Sequence, residues 1–347
     1  MRIAQLLSNL HPVEPQGTKG IYSQAGSLVD AIVAHGHEVH LYAAENSMTT
    51  AQLHSVPDRS SHPEWIHEDL QMHAMHSLIS ACYEHANEVD IIHSHFTLLS
   101  SFYARLTKTP TVISIHSPVR DEIRPFLLQY RDIPYISFSY AQRKHMPELN
   151  WYANIYHGVD TTVFTYNAKP KDYFLYIGRL TEEKGIHFAI AAAKAAHVPL
   201  VIAGRSYENE GYWHNSIEKE IDGKQVRYIG ELNYAQKIEW MQNAQALLFP
   251  SQYPETFGLV MIEAMACGTP VIGWKSGSVP EVVSDKKTGF VVESVEDMRD
   301  AILAIQKISR EATRQRAVQY FSLEKMTTGY LHVYERLIAE HARQRGV

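Results

Sequence analysis

Phe249-Pro250-Ser251-Gln252-Tyr253-Pro254-Glu255-Thr256-Phe257-Gly258-Leu259-Val260-Met261-Ile262-Glu263-Ala264-Met265-Ala266-Cys267-Gly268-Thr269-Pro270-Val271-Ile272 reads as a strand end, a loop, a helix, a glycine stop and a new strand. Proline punctuates both strand boundaries, and glycine after a helical run supplies the left-handed stop that ends a helix. A strand, a helix and a second strand in this order make a parallel crossover unit. Glu255 falls just before the helix and Glu263 about two turns into it. The unpaired N–H groups around Phe257, Gly258, Leu259 and Val260, together with the helix dipole, form an anion site. A glutamate placed beside such a site caps poorly compared with Asp or Ser. It is well suited to accept hydrogen bonds from sugar hydroxyls, and Glu263 is a candidate to hold ribose hydroxyls in the same cleft. The bland alternative is two surface glutamates at a helix N-terminus.

Outward from this segment the same alternation repeats. Strand candidates are residues 3–8, 38–43, 90–93, 111–116 and 135–138, then 173–177, 200–203, 226–229, 246–249, 270–274 and 289–292. Helix candidates are 21–34, 68–86, 96–106, 184–196, 234–242 and 259–267, with a last helical stretch from 323 to about 343. Apolar strands such as Thr111-Val112-Ile113-Ser114-Ile115 suit burial on both faces of a parallel sheet. The series restarts near Tyr173, after the polar stretch Asn167-Ala168-Lys169-Pro170-Lys171-Asp172, which reads as an interdomain linker. The expected architecture is α/β, with two Rossmann-like doubly wound domains facing across a cleft. Residues 1–165 plus 322–347 form the first domain, residues 166–321 the second, and the C-terminal helix packs back on the first. Ligands in open α/β sheets sit at the carboxyl ends of strands, so the loops there carry the function.

One such loop is Tyr176-Ile177-Gly178-Arg179-Leu180-Thr181-Glu182-Glu183-Lys184-Gly185. Arg179 and Lys184, on either side of a loop at a strand end, can clamp a diphosphate and stabilise it as a leaving group. The same charges also allow Arg179 and Lys184 to pair with Glu182 and Glu183 on a solvated turn. Gln16-Gly17-Thr18-Lys19-Gly20-Ile21 follows the first strand, and its glycines would let main-chain amides approach phosphate, unless it is an ordinary turn. It lacks the GxGxxG spacing and the acidic ribose partner, so nicotinamide binding is not supported. His93 and His95 point to one side at strand spacing, but no third ligand accompanies them, and no metal is expected. His116, at the end of the strand 111–115, is placed to face the cleft, or is a satisfied loop histidine.

The bulk numbers exclude several classes. A net charge of −6 provides no basic field for nucleic acid. Residues 1–165 hold 16 acidic against 10 basic side chains and the remainder 22 against 22, so a basic membrane-docking face is not favoured, and peripheral membrane contact stays open. No stretch approaches the ~20 apolar residues of a membrane-spanning helix, and the N-terminal apolar run is too short for a secretory signal. Cys82 and Cys267 are far apart in unrelated segments, which speaks against a disulfide framework. Cys267 reads as a buried thiol at a helix end. A cytoplasmic protein is expected.

These residues resemble the retaining glycosyltransferases of family 4, which have the GT-B fold. Glu255 and Glu263 are similar to that family's E-x7-E signature, and Gly178-Arg179 with Lys184-Gly185 is similar to its diphosphate clamp. Further likenesses are Asp90-Ile91-Ile92-His93-Ser94-His95, His157-Gly158-Val159-Asp160, Ile202-Ala203-Gly204, Tyr228-Ile229-Gly230-Glu231-Leu232, Gly277-Ser278-Val279-Pro280-Glu281-Val282, and the ending around Phe321 to Tyr334. The resemblance implies that Glu255 and the amides of Phe257, Gly258, Leu259 and Val260 hold the donor sugar, and Glu263 the ribose. It implies that the first domain is the acceptor side and the second binds the donor, that Arg179 and Lys184 bind the diphosphate, that Gly20 approaches it, that Leu232 lies by the base, and that His116 lies near the transferred sugar. Lys19 departs from the pattern, standing where the first of two adjacent glycines is expected, and the first domain is short for the family.

The resemblance further implies transfer of a hexosyl group from a UDP- or GDP-sugar to an acceptor hydroxyl with retained configuration. The substitution would be same-face, without metal or cofactor, and the leaving phosphate would help take the acceptor's proton. A GT-B nucleotide-sugar epimerase and a non-catalytic sugar-nucleotide binding subunit are the alternatives. The base, the sugar and the oligomeric state stay open. The acidic first half favours a soluble small-molecule or saccharide acceptor.

Overall fold

Short aliphatic runs flanked by Gly, Pro and Ser form two parallel sheets in a computed structural model, which describes residues 1–59, 61–64, 67–206 and 211–345. The first holds β1 (Arg2–Leu6), β2 (Glu38–Tyr42), β3 (Gln52–His54), β4 (Ile91–Ser94), β5 (Thr111–Ser114), β6 (Tyr135–Ser137) and β7 (Trp151–Asn154). The second holds β8 (Phe174–Ile177), β9 (Leu200–Ala203), β10 (Val226–Tyr228), β11 (Leu247–Phe249), β12 (Val271–Trp274) and β13 (Gly289–Val292). Their orders are β3-β2-β1-β4-β5-β6-β7 and β10-β9-β8-β11-β12-β13. Every recorded strand pair is parallel. In each sheet the chain winds outward one way and then returns to wind the other way. The reversal falls between β1 and β4 in one sheet and between β8 and β11 in the other, and a crevice opens at the carboxyl ends of such a pair.

Residues 1–158 and 323–347 form one unit and residues 159–322 the other. The boundary differs from the expected 165/166 and 321/322, and hydrogen bonding explains why. Val159 N–H donates to Phe321 O at 2.9 Å, and Arg314 donates to the carbonyls of Thr161 and Phe164. Residues 159–165 therefore pack on the second unit. The stretch 167–172 is no free linker either. Asn167 N–H reaches Cys267 O and Lys171 N–H reaches Asn243 O, while Arg310 holds Asn167 O.

The C-terminal helix Leu323–Arg345 belongs to the first unit. Met326, Tyr330, Val333, Tyr334 and Leu337 recur at helical spacing and are buried against Ile3, Leu28, Val29 and Ile32. That stripe covers one face of the sheet, as an amphipathic helix requires. In the second unit the core gathers Leu200, Ile202, Leu248 and Ile272 with Ile186, Ala189 and Ile190 of helix Ile186–Ala195.

Two edge strands were not expected from the sequence. Gln52–His54 is three residues long and polar, and Trp151–Asn154 is half-buried at every position, so neither shows alternation. Both find a partner only because β2 and β6 leave an edge open beside them. Among the described residues no helix is long and apolar enough to cross a membrane. Both cysteines are free and buried, and burial pushes the Cys267 thiol up to about 12.

Candidate active site

In the second unit the switch point lies between β8 and β11, and the sequence-predicted donor residues emerge there. β8 ends at Ile177 and leads into Gly178 and Arg179, while β11 ends at Phe249 and leads into the loop 250–258. Main-chain bonds lock the two loops together. Gln252 N–H and Tyr253 N–H both donate to Glu183 O, at 3.0 and 3.1 Å. This brings the Lys184 ammonium onto Glu255 Oε1 and over the Tyr253 ring, 4.8 Å from its centroid. Ser251 Oγ donates to the same Glu255 oxygen at 3.1 Å. The pair is shielded, with 15% and 14% of the side chains exposed, so its mutual attraction is screened less than that of a surface pair.

The Glu255 main chain is held as firmly. Its N–H donates to Tyr253 O at 2.7 Å, and its carbonyl accepts from Ser278 N–H at 3.2 Å. Ser278 Oγ also donates to Phe257 O at 2.5 Å. Gly258 follows at φ +80°, a left-handed conformation that glycine enters without strain. It is the N-cap of helix Leu259–Ala266 and supplies no capping side chain. The first-turn N–H groups at Leu259 and Val260 thus start a helix beside the Lys184–Glu255 pair, where an anion is favoured.

The remaining predicted residues distribute unevenly. Arg179 is half-exposed, and its guanidinium takes Glu183 at 3.0 Å. The bland pairing on the turn is therefore realised for Arg179, whereas Lys184 turns to Glu255. Arg179 and Glu255 still share surroundings, since both act electrostatically on the Tyr176 phenol, whose pKa is raised chiefly by burial. For Phe257 the expected contact is its main-chain N–H, and its side chain packs inward. Its ring is buried against Phe321, 5.9 Å between centroids, so only its main chain can reach a ligand. Leu232 is half-buried in the loop between β10 and helix Tyr234–Asn243. Gly20 and His116 belong to the first unit. There Gly20 is exposed and opens helix Gly20–Ala34 behind Lys19, which gives no side-chain cap. The loop before it lines a cavity of ≈ 200 Å³ with His11, Glu14 and Lys19.

Several partners escaped sequence reading. Glu263 is 7% exposed, and its Oε1 receives Lys237 Nζ at 2.6 Å, from helix Tyr234–Asn243. Lys237 also lies 5.2 Å from the Tyr234 ring centroid. Nothing in the local sequence links Lys237 to Glu263. The signal available was helical spacing, since Lys237 lies four residues before Met241, the buried residue of that helix. Lys237→Ala should leave Glu263 buried without its cation and lower stability by about 1–3 kcal/mol. A thermal unfolding midpoint equal to wild type would refute that role.

In the first unit the strand ends gather histidines. His95 Nδ1 lies 2.7 Å from His116 Nε2, and His116 stacks on His157 at 5.8 Å between centroids. His93 bonds Ser114 at 2.8 Å and Tyr334 at 2.6 Å, which occupies both its ring nitrogens. Among the described residues no group of three metal-ligating side chains converges. Burial pushes His93 and His116 down to about 3 and holds His95 and His157 well below the usual 6.5. The unfolded chain protonates these rings near pH 6.5, while the folded chain resists protonation to far lower pH. The unfolded state thus binds more protons between those limits, and stability is lost as pH falls from 6.5 toward 3. Each ring held neutral in the folded chain adds to that loss. Chemical denaturation at pH 7.5, 6.5 and 5.5 should show a fall that steepens below 6.5. Equal stability at 7.5 and 5.5 would contradict the burial of these rings as neutral groups.

Both units match known protein families. The profile of glycosyl transferases group 1 matches residues 161–322, and that of glycosyltransferase family 4 matches residues 19–168. The chain belongs to the family 4 glycosyltransferases. A glycogen synthase of Mycobacterium tuberculosis is 31% identical over 199 residues, covering 52% of this chain and 47% of that protein. The match thus spans about half the length of that curated relative. AviGT4, a glycosyltransferase involved in avilamycin A biosynthesis, superposes with a TM-score of 0.75 at 25% identity, over 97% of this chain and 98% of its own. HepE of Anabaena, solved in complex with UDP and glucose, superposes with a TM-score of 0.74 at 17% identity, over 97% and 100%. The fold is GT-B, with two Rossmann-like domains of parallel sheet.

Proposed function

We propose that this family 4 chain is a retaining hexosyltransferase using a UDP- or GDP-linked sugar. The observation that carries the reading is the Lys184–Glu255 contact at the β8/β11 switch point, next to the start of helix Leu259–Ala266. A cation, a carboxylate and a helix N-terminus within one site match the three parts of a nucleotide-diphosphate sugar. Glu255 accepts hydroxyls of the hexose. Lys184 and Arg179 offset the charge of the diphosphate, and the first-turn amides add to it. Glu263, oriented by Lys237, holds the ribose diol, and Leu232 lies by the base. The UDP and glucose bound by HepE support a uridine donor as the first to test.

In the reaction the bond between the anomeric carbon and the phosphate oxygen breaks, and the acceptor oxygen bonds the same face of that carbon. The acceptor proton passes to the departing phosphate. Side-chain cations and the helix N-terminus stabilise the negative charge that develops, so no metal is required. The acceptor is a soluble small molecule or saccharide, and a reducing cytoplasm suits the two buried thiols. The test is a panel of UDP- and GDP-sugars by thermal shift, since a ligand that binds the native state raises its apparent stability. Release of nucleotide diphosphate is then followed with and without acceptors, in the presence of a chelator. Acceptor-dependent release that is indifferent to the chelator is the expected result. Donor interconversion without acceptor would indicate an epimerase, and binding without turnover a silent subunit.

A further inference from the structure

Three buried polar atoms without hydrogen-bond partners line one cavity of the first unit: Thr111 Oγ1, Tyr152 Oη and His341 Nε2. Six such atoms occur among the described residues, so half of them fall on this one surface. Leaving a buried polar group unpaired is unfavourable, and three in one place mark a surface built to receive polar partners. The cavity measures ≈ 320 Å³, within the roughly 300–1,000 Å³ typical of small-molecule pockets. Thr111, only 6% exposed, opens β5, Tyr152 belongs to β7, and His341 lies near the end of helix Leu323–Arg345. Asp132 and Asn150 line it from the turns before β6 and β7. The cavity therefore sits at the amino ends of these strands, whereas an open α/β sheet holds its reactants at the carboxyl ends.

The charges of the lining are already paired. Arg105 bonds Asp132 and the carbonyl of Gln129, the latter at 2.8 Å. Glu340 pairs with Arg336 at 3.5 Å. The lining thus has no unmatched guanidinium or ammonium for a phosphate, and no unmatched carboxylate for an amine. What is left over is two hydroxyls and an imidazole nitrogen, each able to donate or to accept. A sugar hydroxyl also does both, so a neutral polyhydroxylated molecule completes these atoms without burying a charge. We propose that this cavity is a saccharide-binding site of the first unit, distinct from the Lys184–Glu255 site of the second. It takes one or two units of a neutral glycan. Because its walls come from β5, β7 and the C-terminal helix, occupancy ties that helix to the sheet and raises the unfolding midpoint.

The test uses the full chain labelled with 15N, with maltotriose, cellotriose and mannotriose as probes and inorganic phosphate as a contrasting anion. At least one trisaccharide should shift the amide signals of Thr111, Asp132, Tyr152 and His341 and raise the unfolding midpoint, and phosphate should do neither. Thr111→Val and Tyr152→Phe each delete one hydroxyl and keep the shape. Each should weaken that trisaccharide about tenfold, the affinity equivalent of one hydrogen bond. Stability without ligand should hold level or rise, since an unpaired buried group is gone. Absence of any trisaccharide shift at these residues overturns the proposal, as does binding that both variants leave intact. Phosphate shifts at the same amides would assign the cavity to an anion. Variants that lose stability with no saccharide effect would mark a cavity filled by water alone, and either result overturns the proposal as well. Should one variant not fold, the wild-type shifts and the other variant decide.

Discussion

Glu255→Ala should lower kcat/KM for sugar transfer by about 10²–10³, the range seen when one preorganised hydrogen-bonding group is lost from a site of developing charge. The side chain is 14% exposed, and one of its oxygens already serves Lys184 and Ser251. Removing it deletes the acceptor proposed for hexose hydroxyls and also frees the ammonium from its position over Tyr253. Glu255→Gln keeps the shape and an acceptor oxygen but weakens the hold on Lys184, so its loss should fall between wild type and alanine. The main chain at Glu255 is bonded to Tyr253 and Ser278 independently of the carboxylate, so the fold should persist. Far-UV circular dichroism and the unfolding midpoint check that point. An alanine variant within threefold of wild-type kcat/KM would remove Glu255 from the chemistry.

Gly185→Ala should damage both stability and turnover. Gly185 sits at φ +68°, where an L side chain costs ~1–2 kcal/mol. A Cβ there would also lie 2.2 Å from the carbonyl oxygen of Pro250, which cannot move cheaply because it belongs to the loop leaving β11. Relief requires the 182–185 turn and the 250–255 loop to separate. Those are the segments whose approach carries Lys184 onto Glu255, so the site opens as the strain is released. A loss of about 2–4 kcal/mol is expected from strain and overpacking together. Transfer activity should fall at temperatures where the variant is still folded. Wild-type unfolding and wild-type turnover would show that the two loops do not depend on this close approach.

Much of the layout was legible because it is local. The strand runs at 200–203 and 289–292 have the bounds read from their aliphatic residues, and Gly268 with Pro270 marks the helix stop and restart beside Cys267. Glu255, the helix start at Gly258 and the strand ends before Arg179 follow from short-range pattern as well. Arg179 and Lys184 illustrate the limit. Five residues apart on one turn, they offered the same choice of partners, and they took different ones: Arg179 pairs with Glu183 and Lys184 with Glu255. Local charge spacing does not decide between those outcomes. The course of residues 159–172 was misjudged for a related reason, since it depends on packing against distant residues such as Arg310 and Arg314.

The order of amino acids by itself determined the alternation of strands and helices, their stops, and the presence of a carboxylate and two cations at strand ends. Periodicity, proline and glycine act within a few residues, so they are readable one segment at a time. Only the tertiary structure decided which of those groups meet. Lys184 meets Glu255 across 71 residues, Lys237 meets Glu263 across 26, and Gln5 meets Tyr334 across 329. Such pairs exist because β8 lies beside β11 and because the last helix covers the first sheet, and strand order is a property of the whole chain's packing.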